Sequence, residues 1–246
     1  MLNTNPQTTT NQLINKLLNY SLKNPPNEFQ KRLFFTEANK LKKISPIEGW
    51  IIEGIIYSLI NDYNSSVKAF ENALALQPYN KFVIINYSAS LMKFGLFEKS
   101  YLLVKKSLDY NHEILPYLYD ISIGCGFFND AIIYQKELNK RNQEIPKLDQ
   151  LLDNIQYFCK KLEIDINDFQ IIYLCVLKTI YSEKEKVIEI IQELEPPNFD
   201  SLTIFFGIHA DADKICDIEY KLYERLAKLN ISAIDNQKVL PIINYV

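Results

Sequence analysis

"WIIEGIIYSLINDYNSSVKAFENALALQP", residues Trp50 to Pro78, carries two apolar stripes around a polar break. Across Trp50–Ile60 the apolar side chains recur at the period of a helix, and Gly54 offers a place where a second helix can come close. "NDYN" (Asn61–Asn64) holds residues that cap and turn a chain readily. Val67, Phe70, Ala73 and Leu74 then form a second stripe, which Pro78 stops because it lacks the N–H and clashes with the preceding turn. The stretch predicts two antiparallel helices joined by a short turn.

The plan recurs. A shift of 34 residues carries Trp50 to Ile84, Tyr57 to Leu91, Tyr63 to Phe97, Phe70 to Val104, Ala73 to Ser107 and Leu74 to Leu108. "KFGLFEKSYLLVKKSLDYN" (Lys93–Asn111) repeats the polar turn and stripe, with Gly95 in the turn. A third copy, "GFFNDAIIYQKELNK" (Gly126–Lys140), starts early, since Gly95 to Gly126 is 31 residues. A fixed period of this size predicts stacked hairpins, because one hairpin cannot bury its own apolar face.

Trp50, Gly54, Tyr57, Tyr63, Phe70, Ala73 and Pro78 stand at the offsets of a known signature, and residues 47–145 thereby resemble the tetratricopeptide repeat (TPR) family. Glu53 departs from the usual Leu and Ser66 from the usual Ala. The resemblance implies antiparallel helix hairpins in an α-solenoid, with the first helix of each pair lining a concave face. Carried over by position, that face is Glu48, Ile51, Ile55, Ser58 and Leu59, then Phe82, Ile85, Ala89, Met92 and Lys93. Relatives that grip a peptide carboxylate place Lys, Arg and Asn there. These mostly apolar residues imply instead an amphipathic helix or apolar peptide as partner, unless the chain's own termini fill the groove.

Outward from the repeats, Leu13, Ile14, Leu17, Leu18 and Leu22, then Leu33, Phe34, Ala38 and Leu41, predict a capping helix pair over residues 1–46. Downstream, Leu148–Leu162, Phe169–Ile180 and the amphipathic "EKEKVIEIIQEL" (Glu183–Leu194) predict three more helices, so that residues 146–195 extend the stack. Ser182 with Glu185 reads as a capping box for the last of them, and Pro196-Pro197 as its end.

The pattern then changes. "SLTIFFGIHA" (Ser201–Ala210) reads as a strand, Lys214–Leu229 as a helix capped by Asp211 and Asp213, and "KVLPIINYV" (Lys238–Val246) as an edge strand containing Pro241. Strand, crossover helix and strand predict a parallel pair over 196–246, with "ISAI" (Ile231–Ile234) available as a third strand. The expected fold is therefore mainly α, TPR-like, with a small C-terminal β-α-β unit. So small a sheet must pack on helices or pair with a second chain, which makes a homodimer through these strands an expectation.

Composition narrows the function. Six glycines against sixteen tyrosines argue against many tight β-turns and Gly-rich phosphate loops. A net charge of −3 supplies no field to attract nucleic acid. The basic run Lys31, Arg32, Lys40, Lys42, Lys43 and the acidic run Glu183, Glu185, Glu189, Glu193, Glu195 read as solvated faces. No apolar run has membrane length, and "MLNTNPQTTTNQLINK" lacks the pattern of a secretory signal. Cys125, Cys159, Cys175 and Cys216 lie far apart and read as small buried hydrophobes, consistent with a cytoplasmic protein.

Only "HADAD" gathers a His and two carboxylates, and His209, Asp211 and Asp213 could ligate a divalent metal in an enzyme. Two aspartates opening a helix also cap it and suit its dipole. His112 reads as a helix-end residue, and no nucleophile elbow, zinc-protease or nucleotide motif is present. The expectation is a non-enzymatic protein-binding module without cofactor, with the metal enzyme and a secretion-type chaperone for apolar segments as alternatives.

Overall fold

The computed structural model describes residues 6–20, 24–143, 149–185, 187–194 and 201–245. The chain is mainly helical with one small sheet, and it divides into two compact units, Met1–Ile114 and Leu115–Val246. The division falls inside the span 47–145 that the repeat pattern covers.

The first unit runs α1 (Pro6–Leu17), α2 (Glu28–Ile44), α3 (Pro46–Leu59), α4 (Tyr63–Leu76), α5 (Lys81–Lys93) and α6 (Phe97–Ser107), closing on a 3-10 turn at His112–Ile114. Local chemistry sets these limits. Asn27 opens α2 with a capping box: its side chain accepts from Gln30 N at 2.9 Å while Gln30 Oε1 accepts from Asn27 N at 2.8 Å. Asp62 opens α4 by accepting from Ser65 N at 3.0 Å. Asn80 opens α5 by accepting from Phe82 N and Val83 N.

The hairpin turns share one geometry. After α3, Asn61 takes φ 61° and Asp62 N returns to Tyr57 O at 2.9 Å. After α5, Gly95 takes φ 71° and Leu96 N returns to Leu91 O at 3.0 Å. A left-handed residue followed by this six-to-one bond satisfies carbonyls that the helix end leaves open. Within each hairpin a serine bridges the crossing: Ser66 Oγ donates to Gly54 O at 2.9 Å, and Ser100 Oγ donates to Ser88 O at 3.0 Å. Gly54 lies where a Cβ would stand 2.6 Å from the Phe70 ring, so the close approach expected there is real.

Leu17, Phe34, Leu41, Ile52, Ile56 and Phe70 belong to the core shared by these helices. The basic run on α2 and at its end is largely paired: Lys31 with Glu28, Lys40 with Glu37, and Lys42 with Glu53.

The second unit runs α7 (Leu115–Gly124), α8 (Phe128–Lys140), α9 (Asp149–Lys161), α10 (Ile166–Ser182), β1 (Val187–Leu194), β2 (Leu202–Ile208), α11 (Ala212–Leu226), α12 (Ser232–Asp235) and β3 (Val239–Tyr245). The α7–α8 turn matches the two above, with Gly126 at φ 77° and Phe127 N on Ser122 O at 2.7 Å. Phe128 joins α8 to α10 through Phe169 and Tyr173, at ring separations of 5.5 and 5.0 Å. Tyr173 in turn meets Phe206 of β2 at 5.7 Å.

Three expectations need correction here. The helix expected over Glu183–Leu194 is absent: Val187–Leu194 is strand β1, antiparallel to β2 with Leu194 opposite Leu202. Its β-branched Val187, Ile188, Ile190 and Ile191 suit a pleated strand as well as a helix stripe. Ser182 therefore ends α10 and caps no following helix, and Glu185 is a buried side chain in the link to β1. "ISAI" supplies no strand, because Ser232–Asp235 forms α12. Pro196-Pro197 and Leu148 lie outside the described residues.

The crossover prediction holds: β2 and β3 pair in parallel from Leu202↔Val239 to Ile208↔Tyr245, with α11 between them in sequence. β2 is the central strand and is buried nearly throughout, which explains its unbroken apolar run. Pro241 does lie on an edge strand. α11 engages that strand's backbone, since Tyr223 OH donates to Pro241 O at 3.1 Å and Ile243 N donates to Glu219 Oε1 at 3.0 Å. Glu183 accepts from Lys214 and Lys221, both at 2.7 Å, and the two ammonium groups hold its carboxyl down at about 2.

Asp120 of α7 is half-buried, its Oδ1 has no protein partner, and burial pushes its pKa up to about 6. A carboxyl raised above its unfolded value binds its proton more tightly in the folded state, so stability falls as pH climbs from about 4 to about 6. Asp120→Asn should therefore raise stability at pH 7 by about 1 kcal/mol, discounted for partial solvent screening. The gain should vanish below pH 4 in denaturant titrations run at both pH values. An equal gain at both would mean that the charge is not the cause.

Candidate functional site

The repeat resemblance assigns one helix face in each of the first two hairpins to a partner, and the structure treats the two differently. On α3 the face is covered: Ile51, Ile55, Ser58 and Leu59 are buried, the last at 1% exposure. Ser58 Oγ is spent locally on Ile55 O at 2.8 Å. Ile51, Ile55 and Leu59 share the core with Leu13 and Leu17 of α1. The Thr10 hydroxyl donates to Glu48 Oε2 at 2.7 Å at the other end of the same contact.

On α5 the corresponding face is open. Phe82 is 57% exposed, Ala89 is exposed, and Ile85, Met92 and Lys93 are half-buried. Spacings of three and four residues put Phe82, Ile85, Asn86, Ala89 and Met92 on one side of the helix. The covered and open faces border a cleft of about 190 Å³, lined by Thr10, Asn11 and Ile14 from α1, Ile47, Glu48 and Ile51 from α3, and Phe82 and Asn86 from α5. Gln77 and Asn80 of the α4–α5 link and Ser45 complete the wall.

The electrostatics of the cleft follow from that lining. Glu48 is its single charged residue, and no Lys or Arg lines it among the described residues. Its amides are uncharged and partly engaged within the wall: Asn80 caps α5 and donates to Gln77 Oε1 at 2.8 Å, and Asn86 donates to Phe82 O at 2.7 Å. A lining with one carboxylate and no cation offers nothing to pair with a free carboxylate. No protein-family model, curated protein or solved structure matches this chain.

The structure does not assemble the metal alternative. Asp211 Oδ1 accepts from Lys214 N at 2.8 Å as the N-cap of α11, and Asp213 lies in its first turn. His209 neighbours the Tyr245 ring at 6.3 Å. No group of three His, Cys, Asp or Glu among the described residues is placed to hold a metal. The cysteine reading holds for two of the four: Cys125 and Cys159 are buried, with the Cys159 thiol pushed up to about 12 by burial, but Cys175 is only half-buried and Cys216 is exposed.

Sequence reasoning named the α5 residues and allowed that the chain's own termini could fill the groove, and the structure places Thr10, Asn11 and Ile14 of α1 in the cleft wall. The apolar stripe of α1 was visible, yet nothing in a stripe says which neighbour it will cover. No helix among the described residues is long and apolar enough to cross a membrane.

Proposed function

We propose that this chain is a non-enzymatic, TPR-like helical-repeat protein that binds an apolar peptide or an amphipathic helix of a protein partner along α5 and the adjoining cleft. The observation that carries the reading is the apolar side of α5, where Phe82 and Ala89 face solvent beside half-buried Ile85 and Met92. Support for the repeat comes from the spacing of the first two hairpin turns: Asn61 and Gly95 stand 34 residues apart and close with the same left-handed residue and six-to-one bond. Further support comes from Ser66 and Ser100, which sit 34 residues apart and bridge to Gly54 and Ser88, also 34 apart.

Affinity on such a surface comes from apolar area removed from water, at roughly 25 cal/mol per Å², opposed by the cost of ordering the partner. An exposed aromatic anchor dominates such interfaces. Replacing Phe82 and Ala89 with Lys should lower partner recovery about 10- to 100-fold while leaving helical content unchanged. The test is affinity purification from the native cell with wild-type and Phe82→Lys/Ala89→Lys bait. Recovery of the same proteins in the same yield by both baits would remove this face from the argument.

A further inference from the structure

The helix that covers the α3 face is a weak one. α1 has twelve residues, below the length at which isolated helices persist in water, and its first half carries three consecutive threonines, Thr8 to Thr10. Its first turn carries no acidic residue to favour the dipole. Its place therefore depends on what it touches. Thr10, Leu13 and Leu17 are buried and Ile14 half-buried, while Asn11, Gln12, Asn15 and Lys16 face solvent. The buried side carries one hydroxyl, donated to Glu48, and two leucines in the cluster with Ile51, Ile55 and Leu59. Residues 18–27 tether it to α2.

We propose that α1 is a built-in ligand of the partner surface, and that the natural partner is an amphipathic helix presenting the same face: a hydroxyl or amide residue followed three and seven positions later by leucine-like side chains. The inference rests on the reading of the α3 and α5 faces as a binding surface, and it names that surface's ligand and its regulation. The seated helix is the template for the ligand. A hydroxyl meets Glu48, and the two leucines belong to the same buried cluster as the isoleucines of α3. The partner displaces α1 and gains Ile51, Ile55 and Leu59 as additional contacts. Apparent affinity falls by the fraction of molecules in which α1 is seated, so loosening α1 strengthens binding. The tether holds α1 at an effective concentration on the order of millimolar, against which a free peptide competes poorly.

The test uses the full chain and a labelled synthetic peptide of residues 6–20, PQTTTNQLINKLLNY. Leu13→Asp/Leu17→Asp, which unseats α1, should bind this peptide at least ten-fold more tightly than wild type. A peptide carrying the same two Leu→Asp changes should not bind. Hydrogen exchange should show protection lost from α1 and retained across α3 to α6. Equal peptide affinity for variant and wild type overturns the inference, as does loss of protection from α3 to α6 together with α1, which would make α1 an inseparable part of the core. Wild-type exchange decides the case even where the variant does not fold: α1 amides should exchange at least 100-fold faster than those of α3, and equal rates overturn the inference. The two readings fail separately. If Phe82→Lys/Ala89→Lys loses the cellular partner but the opened chain ignores the peptide, only the α1 inference falls. If the opened chain takes the peptide while those substitutions change nothing, the α5 reading falls instead.

Discussion

Gly49→Val should leave the first unit largely unfolded at room temperature. A Cβ built on Gly49 would lie 2.4 Å from Lys42 Cγ, 2.6 Å from Lys42 N and 2.8 Å from Ala38 O. Two of those three atoms are backbone, so no rotamer change relieves them, and α2 must move off α3. That movement also disturbs Lys42, which pairs with Glu53 and sits 3.4 Å from the Trp50 ring centroid. Helix propensity argues the other way, since replacing a mid-helix glycine by alanine gains about 1 kcal/mol. Overpacking costs about 1–3 kcal/mol per added group and more where the backbone is involved, so the clash wins. Gly49→Ala should lose about 2 kcal/mol net, and Gly49→Val considerably more against a total of about 5–15 kcal/mol. Urea titration of the graded pair is the measurement. A Gly49→Ala protein as stable as wild type would show that the two helices do not meet as described.

Phe128→Ala should destabilise the second unit by about 3–5 kcal/mol, the usual cost of deleting a fully buried aromatic. Phe128 is 0% exposed and touches both Phe169 and Tyr173. Tyr173 passes the contact on to Phe206 in the central strand. Truncation thus removes apolar area and opens a cavity where α8, α10 and the sheet depend on one another. Hydrogen exchange should show β2 and α10 losing protection with α8. Exchange confined to α8 would mean that the aromatic chain does not couple the helices to the sheet.

Much of the architecture was legible before any coordinates. The period of the apolar residues places α3 to α6, and Asn61 and Gly95 mark the turns of those two hairpins, as Gly126 marks that of α7 and α8, at left-handed positions where Gly and Asn cost least. The C-terminal crossover was also legible, since a short β-branched run, a capped helix and a second run leave few other solutions. Local chemistry suffices for such features: a cap or a period acts within one or two turns of chain.

Glu183–Leu194 shows where local information stops. Its apolar residues satisfy a helix stripe and a half-buried strand alike, and only β2, apolar on both faces, decides between them by offering an edge to pair with. The candidate site has the same limit. Sequence alone offered Ile51, Ile55, Leu59, Phe82, Ile85 and Met92 as one expected face, carried over by position from the repeat resemblance. Only tertiary structure decided that the first three lie buried, sharing the core with α1, while Phe82 remains open and Ile85 and Met92 half-covered. The reason is physical: which apolar surface leaves water depends on which other surface reaches it, and that is a property of the folded chain, not of any one stretch.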